Sequence, residues 1–429
     1  MPVERVDTLV IGGGQAGIAA SEHLGKTGVP HIVVERRRIA ERWRAERWDS
    51  LVANGPAWHD RFPNGQFTAT GPDGFAPAGE IVDYLVEYAG QVQAPIRPGV
   101  EVKALRRVGG VFIAETPQGA IEARNVIVAT GPFQTPVIPA VVPQLPGLTQ
   151  IHSAQYRNPA QLPKGAVLVI GAGSSGVQIA AELCRAGRKV FLAVGAHDRP
   201  PRRYRGKDFV WWLGALGLWD AKALAPNMAH VTIAVSGAQG GHTVDFRDLA
   251  AGGITLLGQA ESFETGVMRF APDLAARIAD GDANYLSMLD AADAYIARAG
   301  LDFPAEPGAR DLGTLPGCVT DPLLALDFTE AGLTSIIWAT GYALDFGWIK
   351  LDVFDDQGRP VHERGVSALP GLYFLGLPWL SRRASAFIWG VWHDAAYIAG
   401  HIALSEEKDE SHADPTIQHA RHLSRTESR

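Results

Sequence analysis

The 429-residue chain has little cysteine and no long hydrophobic run. Its two cysteines, Cys184 and Cys318, form no CxxC motif, which excludes a dithiol of that type and a cysteine-based zinc site. No uncharged apolar stretch approaches the ~20 residues that a membrane-spanning helix needs. The net charge of −7 excludes a general basic surface for nucleic acid. The histidines are scattered without metal-ligand spacing, so we expect no metal site.

Glycine, in contrast, is abundant, and two groups of glycines form the same GxGxxG motif. The motif residues are Gly12, Gly14 and Gly17 in VIGGGQAG, and Gly171, Gly173 and Gly176 in VIGAGSSG. Each motif follows an apolar run that predicts a buried parallel strand, residues 8–11 and 167–170, and precedes a helix-like stretch. This context is typical of a dinucleotide pyrophosphate site at a helix N-terminus. Two such motifs predict two dinucleotides, and such proteins usually transfer electrons between them.

An acidic residue follows the first motif at the spacing that a ribose requires. The strand HIVVE ends at Glu35, about 20 residues beyond the glycines, where a carboxylate accepts hydrogen bonds from ribose hydroxyls. A solvated charge at a strand end is the alternative interpretation.

The second motif is not followed by an acid at the end of its strand, KVFLAV. Arginines come after it instead, at Arg199, Arg202, Arg203 and Arg205. Because guanidinium groups bind phosphate in a bidentate manner, this pattern favours the 2′-phosphate of NADPH over NADH. A solvated basic loop and a substrate-binding cluster are the alternatives.

The rest of the chain predicts further strands and helices. Strands are expected near Val102, at 111–114, at 126–131, in TVDF and GITLLG, and at 335–342. The apolar spacing of LAARIAD…ARAG and of VWHDAAYIAGHIAL predicts helices.

These residues together resemble the flavin-containing monooxygenases. The two glycine motifs and two ATG segments, at 129–131 and 339–341, are similar to those of bacterial members of that family and of plant YUCCA-type enzymes. The resemblance covers about residues 5–400. It implies FAD at the first motif and NADPH at the second.

The resemblance also implies a catalytic residue. The segment WDSLVAN ends at Asn54, which matches a family asparagine that helps to hold the oxygenated flavin and the nicotinamide. Trp43 matches the tryptophan of a GGxW segment, although Ala40 and Glu41 replace the two glycines. For Asn54 the alternative is an ordinary turn residue before Gly55.

The family motif FxGxxxHxxx(Y/F) is kept in its second half only. His152 and Tyr156 match it, whereas Pro146 and Leu148 replace its Phe and Gly. The predicted cofactor-binding residues are Gly12, Gly14, Gln15, Ala16, Gly17, Glu35, Arg42, Trp43, His59, Val102, Ala129, Thr130, Gly131, Gly171, Gly173, Ser174, Ser175, Gly176, Arg199, Arg202, Arg203, Thr340, Gly341 and Gly376.

The resemblance implies an α/β fold of two Rossmann-like dinucleotide-binding domains, with the NADPH domain inserted into a discontinuous FAD domain. We expect the FAD domain at 1–160 and 331–404, the NADPH domain with a helical insertion at 161–330, and a disordered tail at 405–429, which is charged and poor in apolar residues.

The implied function is an NADPH-dependent flavin monooxygenase. It would form C4a-(hydro)peroxyflavin from O2 and oxygenate a soft nitrogen or sulfur of a small organic substrate. A Baeyer–Villiger monooxygenase, a two-dinucleotide reductase and a redox sensor remain alternatives. The first strand begins close to the N-terminus, which leaves no room for a signal peptide, so we expect a cytoplasmic enzyme without membrane or nucleic-acid partners. The sequence does not indicate an oligomeric state.

Overall fold

The computed structural model describes residues 3–222 and 232–413, with side chains described to residue 405. The described chain divides into two compact units. The first unit falls within the ranges Met1–Glu41, Asp83–Pro132 and Leu344–Arg429, and the second within Arg42–Val82 and Phe133–Ala343.

The strands are numbered in chain order. They are β1 Glu4–Ile11, β2 His31–Glu35, β3 Ile96–Pro98, β4 Ala104–Val108, β5 Val111–Thr116, β6 Gly119–Val128, β7 Thr135–Pro136, β8 Thr149–His152, β9 Ala166–Ile170, β10 Val190–Ala193, β11 His197–Asp198, β12 Arg203–Tyr204, β13 Lys207–Asp208, β14 Thr232–Ile233, β15 Ile254–Leu257, β16 Ala260–Glu264, β17 Val267–Phe270, β18 Ala325–Asp327, β19 Leu333–Trp338, β20 Tyr342–Ala343, β21 His362–Glu363, β22 Val366–Ser367 and β23 Leu372–Phe374.

The α-helices are numbered in the same way. They are α1 Gln15–Thr27, α2 Glu41–Ala45, α3 Ala78–Gln91, α4 Ser174–Arg185, α5 Phe209–Ala215, α6 Phe246–Ala251, α7 Leu274–Ala299, α8 Gly317–Thr320, α9 Phe328–Ala331 and α10 Ile388–Ala413. No helix in the described ranges is long and apolar enough to cross a membrane.

The first unit is built on a parallel sheet in the order β23-β6-β1-β2-β3, with antiparallel strands at β4-β5 and β21-β22. Helix α1 packs against α10. The buried carboxylate of Glu22 on α1 accepts hydrogen bonds from Tyr88 Oη on α3 (2.8 Å) and Trp392 Nε1 on α10 (2.7 Å). One side chain therefore connects three helices of this unit.

The second unit contains another parallel sheet, in the order β15-β10-β9-β19-β8. Strand β9 is buried along its whole length, as is expected of a strand covered on both faces. An antiparallel sheet β16-β17-β18 accompanies it. The predicted α/β class with two Rossmann-like sheets is confirmed.

The strand predicted near Val102 is β4, which begins at Ala104. Two other local predictions are wrong. The TVDF segment leads into helix α6, because the side chain of Asp245 caps that helix by accepting a hydrogen bond from Arg247 N (2.8 Å). The predicted disordered tail begins inside α10, which continues to Ala413. The remainder of that tail, 414–429, lies outside the described residues.

The unit boundaries also differ from those expected. Residues 42–82 and 133–160 belong to the unit that holds the second glycine motif, and the first unit resumes at Leu344 rather than at 331. Strand β19, expected in the returning segment, pairs with β9 of the second sheet.

Candidate cofactor and active site

The first glycine motif forms the turn between β1 and α1. Gly12 has φ +120°, and a Cβ placed there would lie 2.5 Å from the carbonyl oxygen of Ala129. A Cβ on Gly17 would lie 1.8 Å from the oxygen of Gly12. A Cβ on Gly14 would meet no protein atom within 4 Å. The turn is therefore closed on two sides and open at the glycine beside which a pyrophosphate approaches.

Glu35 lies at the edge of this turn. Its carboxylate accepts hydrogen bonds from Gly13 N (2.7 Å) and Arg37 N (2.9 Å). Two backbone donors fix the carboxylate, and an ionised carboxylate has lone pairs beyond those two for ribose hydroxyls. The geometry fits the predicted ribose-binding role.

The other predicted residues of the first unit lie in three places. Gln15 Nε2 donates to Ala386 O (2.7 Å), and a Cβ on Gly376 would lie 2.7 Å from the Cβ of Ala16, so both border the start of α1. Ala129, whose N–H donates to Ile11 O (2.9 Å), leads into Thr130 and Gly131 just after β6. Val102 is half-buried in its loop.

The second motif repeats this construction between β9 and α4. Gly171 has φ +108°, and a Cβ there would lie 2.4 Å from the oxygen of Ala339. A Cβ on Gly176 would lie 1.7 Å from the oxygen of Gly171. In each unit the alanine of an ATG segment forms the wall of the glycine turn.

The open side of the second turn is different. A Cβ on Gly173 would lie 3.1 Å from the Cβ of Thr232 on β14. The hydroxyl of Ser174, at the start of α4, donates to Ile233 O (2.7 Å), and Thr232 Oγ1 donates to Ala196 O (3.2 Å). Strand β14 therefore runs along the side where a pyrophosphate would approach. Ser175 is half-buried in the first turn of α4.

Two of the predicted phosphate-binding arginines do not fit that role. Arg199 is 2% exposed and forms ion pairs with Asp245 (3.1 Å) and Asp282 (2.7 Å). Arg202 is also 2% exposed and pairs with Asp208 at 2.5 Å. Burial lowers the pKa of the Arg202 guanidinium, and the Asp208 carboxylate opposes this shift. Both cations are neutralised inside the protein, whereas a phosphate-binding arginine must present its donors to the ligand.

The remaining two arginines are more accessible. Arg203 is exposed and donates to Gly241 O (2.9 Å) and Gly240 O (3.0 Å). Arg205 forms an ion pair with Asp293 (2.7 Å).

Asn54 lies in the second unit, where side chains hold both its amide and its backbone. Gln178 Nε2 on α4 donates to Asn54 Oδ1 (2.9 Å), and Arg202 Nη1 donates to Asn54 O (2.6 Å). The next residue, Gly55, donates its N–H to Asp60 Oδ2 (2.9 Å). Asn54 itself is half-buried.

The predicted FAD contacts Arg42 and Trp43 on α2, and His59 between α2 and α3, also fall in the second unit. His59 is buried, its Nδ1 lies 2.7 Å from Asp60 Oδ1, and its ring stacks on Trp219 with centroids 5.0 Å apart. Arg42 donates to Gln134 O (3.0 Å) and pairs with Glu46. The guanidinium of Arg47 lies over the ring of Trp43.

His152 joins the end of β8 to the second ATG segment. Its Nδ1 accepts from Ala154 N (3.1 Å), so Nε2 carries the proton that is donated to Gly341 O (2.9 Å). Burial lowers the pKa of His152, which keeps this neutral tautomer. The hydroxyl of Thr340 donates to Val137 O.

Tyr156, the other residue of this partial family motif, is fully buried. Its hydroxyl donates to Glu182 Oε2 (2.7 Å) on α4. His152 and Tyr156 therefore contact elements that flank the second sheet, namely the ATG segment after β19 and helix α4.

Sequence reasoning missed Gln178 and Thr232. The hydrophobic pattern of α4 predicts that Gln178 is buried but indicates no role for it. Thr232 is far in sequence from the second glycine motif, which it faces. No local signal marked either residue, because both act through contacts with distant segments.

Comparison with known proteins agrees with this architecture. Residues 9–213 match the family model described as pyridine nucleotide-disulphide oxidoreductase. An oxidoreductase described as CzcO-like, from Geobacillus kaustophilus, is 34% identical over 92% of this chain and 98% of its own. The indole-3-pyruvate monooxygenase YUCCA1 of rice, Oryza sativa subsp. japonica, is 30% identical over 43% of this chain and 47% of its own.

Among solved structures, a flavin-containing monooxygenase from Stenotrophomonas maltophilia superposes with a TM-score of 0.65. It is 21% identical in sequence, and the match covers 94% of this chain and 99% of that one. The chain thus has the fold of the two-dinucleotide flavoproteins. More specifically, it belongs to the CzcO-like oxidoreductase family.

Proposed function

We propose that this chain is an NADPH-dependent flavin monooxygenase that oxygenates a soft nitrogen or sulfur atom of a small organic substrate. The observation that carries the proposal is the repeated glycine turn. Both turns are closed in the same way, by an ATG alanine and by the first glycine of the motif, and Glu35 accompanies only the first. The first turn suits the FAD pyrophosphate and ribose, and the second suits NADPH.

Bound FAD would supply the redox chemistry of the reaction, namely hydride acceptance from NADPH and activation of O2. The residues of this chain bind and orient the two cofactors. Gly14 leaves room for the FAD phosphates, and Glu35 accepts hydrogen bonds from the ribose. Asn54 offers an amide that can donate and accept. The small-molecule substrate, O2 and a cytoplasmic location belong to the same proposal.

The preference for NADPH over NADH rests on a smaller set of residues than the sequence suggested. No acid ends β10, where Val194, Gly195 and Ala196 follow the strand. Of the four arginines that come next, Arg203 is the exposed one. We therefore assign the 2′-phosphate contact to Arg203, whose replacement by Ala should reduce discrimination against NADH about tenfold.

A dithiol reductase is less well supported. Cys184 and Cys318 are both half-buried free thiols, and Cys184 Sγ donates to Gly252 O (3.1 Å). The chain contains no other cysteine, so it lacks the CxxC pair that would form a redox dithiol.

The deciding experiment measures three quantities in air: NADPH consumed, hydrogen peroxide released and oxygenated product formed, over a panel of amines, thioethers and ketones. The expected result is a bound-flavin spectrum and a thioether or amine that forms product while the peroxide released per NADPH falls. Product from ketones alone would indicate a Baeyer–Villiger enzyme. Complete recovery of the NADPH equivalents as hydrogen peroxide with every compound of the panel would reject oxygenation.

A further inference from the structure

Gln178 has an unusual set of hydrogen bonds. It lies on α4 with 8% of its surface exposed. Its Nε2 donates to Asn54 Oδ1 (2.9 Å) and to the backbone oxygen of Val235 (2.8 Å). A primary amide nitrogen carries two hydrogens, so both are used.

These contacts determine which way the Asn54 amide faces. Val235 O is a backbone carbonyl and can only accept a hydrogen bond. The Gln178 atom that faces it must therefore be Nε2. The Asn54 atom that faces the same nitrogen must in turn be the acceptor, Oδ1. The Nδ2 group of Asn54 makes no hydrogen bond within the described part of the chain and keeps both donors.

The backbone of Asn54 is held as firmly as its amide. Arg202, which donates to Asn54 O, lies between the rings of Phe75 and Phe209, each 4.7 Å from its guanidinium carbon. Asp208 binds the same guanidinium. Arg202 thus holds the backbone of Asn54 and Gln178 holds its side-chain amide, so Asn54 takes a single orientation.

We propose that Gln178 is a positioning residue for Asn54: it holds Oδ1 and so directs the two Nδ2 hydrogens to the bound coenzyme and the reacting oxygen. This inference rests on the proposed function, because it assigns the orientation of the residue proposed there as catalytic. A chain with a carboxylate at position 178 would reverse the amide, since a carboxylate only accepts and would bind Nδ2.

The test compares Gln178→Glu and Gln178→Leu with Asn54→Ala and Asn54→Asp. Asn54→Asp keeps the acceptor for Gln178 but loses the donors. Gln161→Glu is the matched control, because Gln161 Nε2 also donates to a backbone oxygen, that of Gln155 (2.9 Å), but makes no contact with Asn54. The readouts are peroxide released per NADPH, the Kd of NADP⁺ for the oxidised protein, and Tm.

We expect Gln178→Glu and both Asn54 variants to raise the ratio of peroxide to oxygenated product about tenfold, because each variant loses one preorganised hydrogen bond to the reacting oxygen. They should also weaken NADP⁺ binding, while Gln161→Glu changes neither. Combining Gln178→Glu with Asn54→Ala should add little, since both remove the same donor.

The pH profile separates positioning from simple packing. The carboxyl introduced by Gln178→Glu can donate again once it is protonated, so the ratio in that variant should fall towards the wild-type value as pH drops through the pKa of the new carboxyl. Gln178→Leu, which cannot titrate, should show no such recovery. If Gln178→Glu loses its fold, Gln178→Leu still has to raise the ratio.

The outcomes distinguish two failures. If Asn54→Ala leaves peroxide release and NADP⁺ binding unchanged, the catalytic role of Asn54 in the proposed function is wrong. If Asn54→Ala alters them but neither Gln178 variant does, or if the double variant shows fully additive effects, the positioning role of Gln178 is wrong.

Discussion

The two glycine turns share their steric construction but differ in their surroundings. In both, a Cβ on the third glycine would overlap the oxygen of the first, at 1.8 Å for Gly17 and 1.7 Å for Gly176. The middle glycine of the first turn, Gly14, faces open space, whereas Gly173 has Thr232 beside it. The comparison shows that the backbone geometry of such a turn is set locally, while access to it is set by a distant segment.

The largest expected effect comes from the shared part of the construction. Gly17→Ala and Gly176→Ala should each lower the free energy of unfolding by about 3 kcal/mol or more, because the overlapping atom belongs to rigid backbone. Urea unfolding measures this. Gly25→Ala is the control: Gly25 lies in α1 with no atom within 4 Å of an added Cβ, and Ala there should stabilise the helix by about 0.5–1 kcal/mol. Equal stabilities of Gly17→Ala and Gly25→Ala would show that the turn can relax.

The next prediction tests the open side of the first turn. Gly14→Leu should fold with a Tm near that of the flavin-free wild type, because no protein atom lies within 4 Å of an added Cβ, but it should lose bound FAD as the leucine fills the pyrophosphate position. The ratio of flavin to protein absorbance measures the loss. Full flavin content in Gly14→Leu would contradict the assignment of FAD to this turn.

A third prediction concerns the histidine that holds the second ATG segment. Burial lowers the pKa of folded His152, while the unfolded residue titrates near its ordinary value of about 6.5. Below that pH the unfolded chain binds a proton that the folded chain does not, so stability is lost as pH falls, with a limiting slope of about 1.4 kcal/mol per pH unit.

The check is the pH dependence of urea unfolding in wild type and His152→Gln. The difference in unfolding free energy between them should shrink as pH falls from 7 towards 5. A constant difference over that range would mean that His152 titrates normally in the folded protein.

Features set by neighbouring residues could be read from the sequence. Both glycine turns need backbone geometry that only glycine gives, as at Gly12 and Gly171, so the motif and its flanking strand and helix predicted the two sheets. The end of β2 at Glu35 is equally local. One local signal was missed: Asp245 is a helix cap, which made TVDF the start of α6 rather than a strand.

Features set by distant partners could not be read in this way. The arginine-rich segment has the composition of a phosphate site, but Arg199 binds Asp282 of the distant helix α7 inside the fold. Nothing in the local pattern shows that a carboxylate from another helix will neutralise a cation. The same reason hid Gln178, whose contact with Asn54 joins two segments that are remote in sequence.

The smallest expected effect tests the difference between the turns directly. Removing the bulk of Thr232 should tighten NADP⁺ binding by a few-fold. The conformation in which Thr232 covers the second turn would then be less favoured relative to the conformation that binds the coenzyme. Thr232→Gly should bind more tightly than Thr232→Ala, and Thr232→Val, which keeps the bulk but loses the hydroxyl, should match the wild type. Titration calorimetry of the FAD-loaded oxidised protein gives the Kd values. Weaker binding by Thr232→Gly would instead make Thr232 part of the coenzyme site, because its side chain would then be a contact that the coenzyme needs.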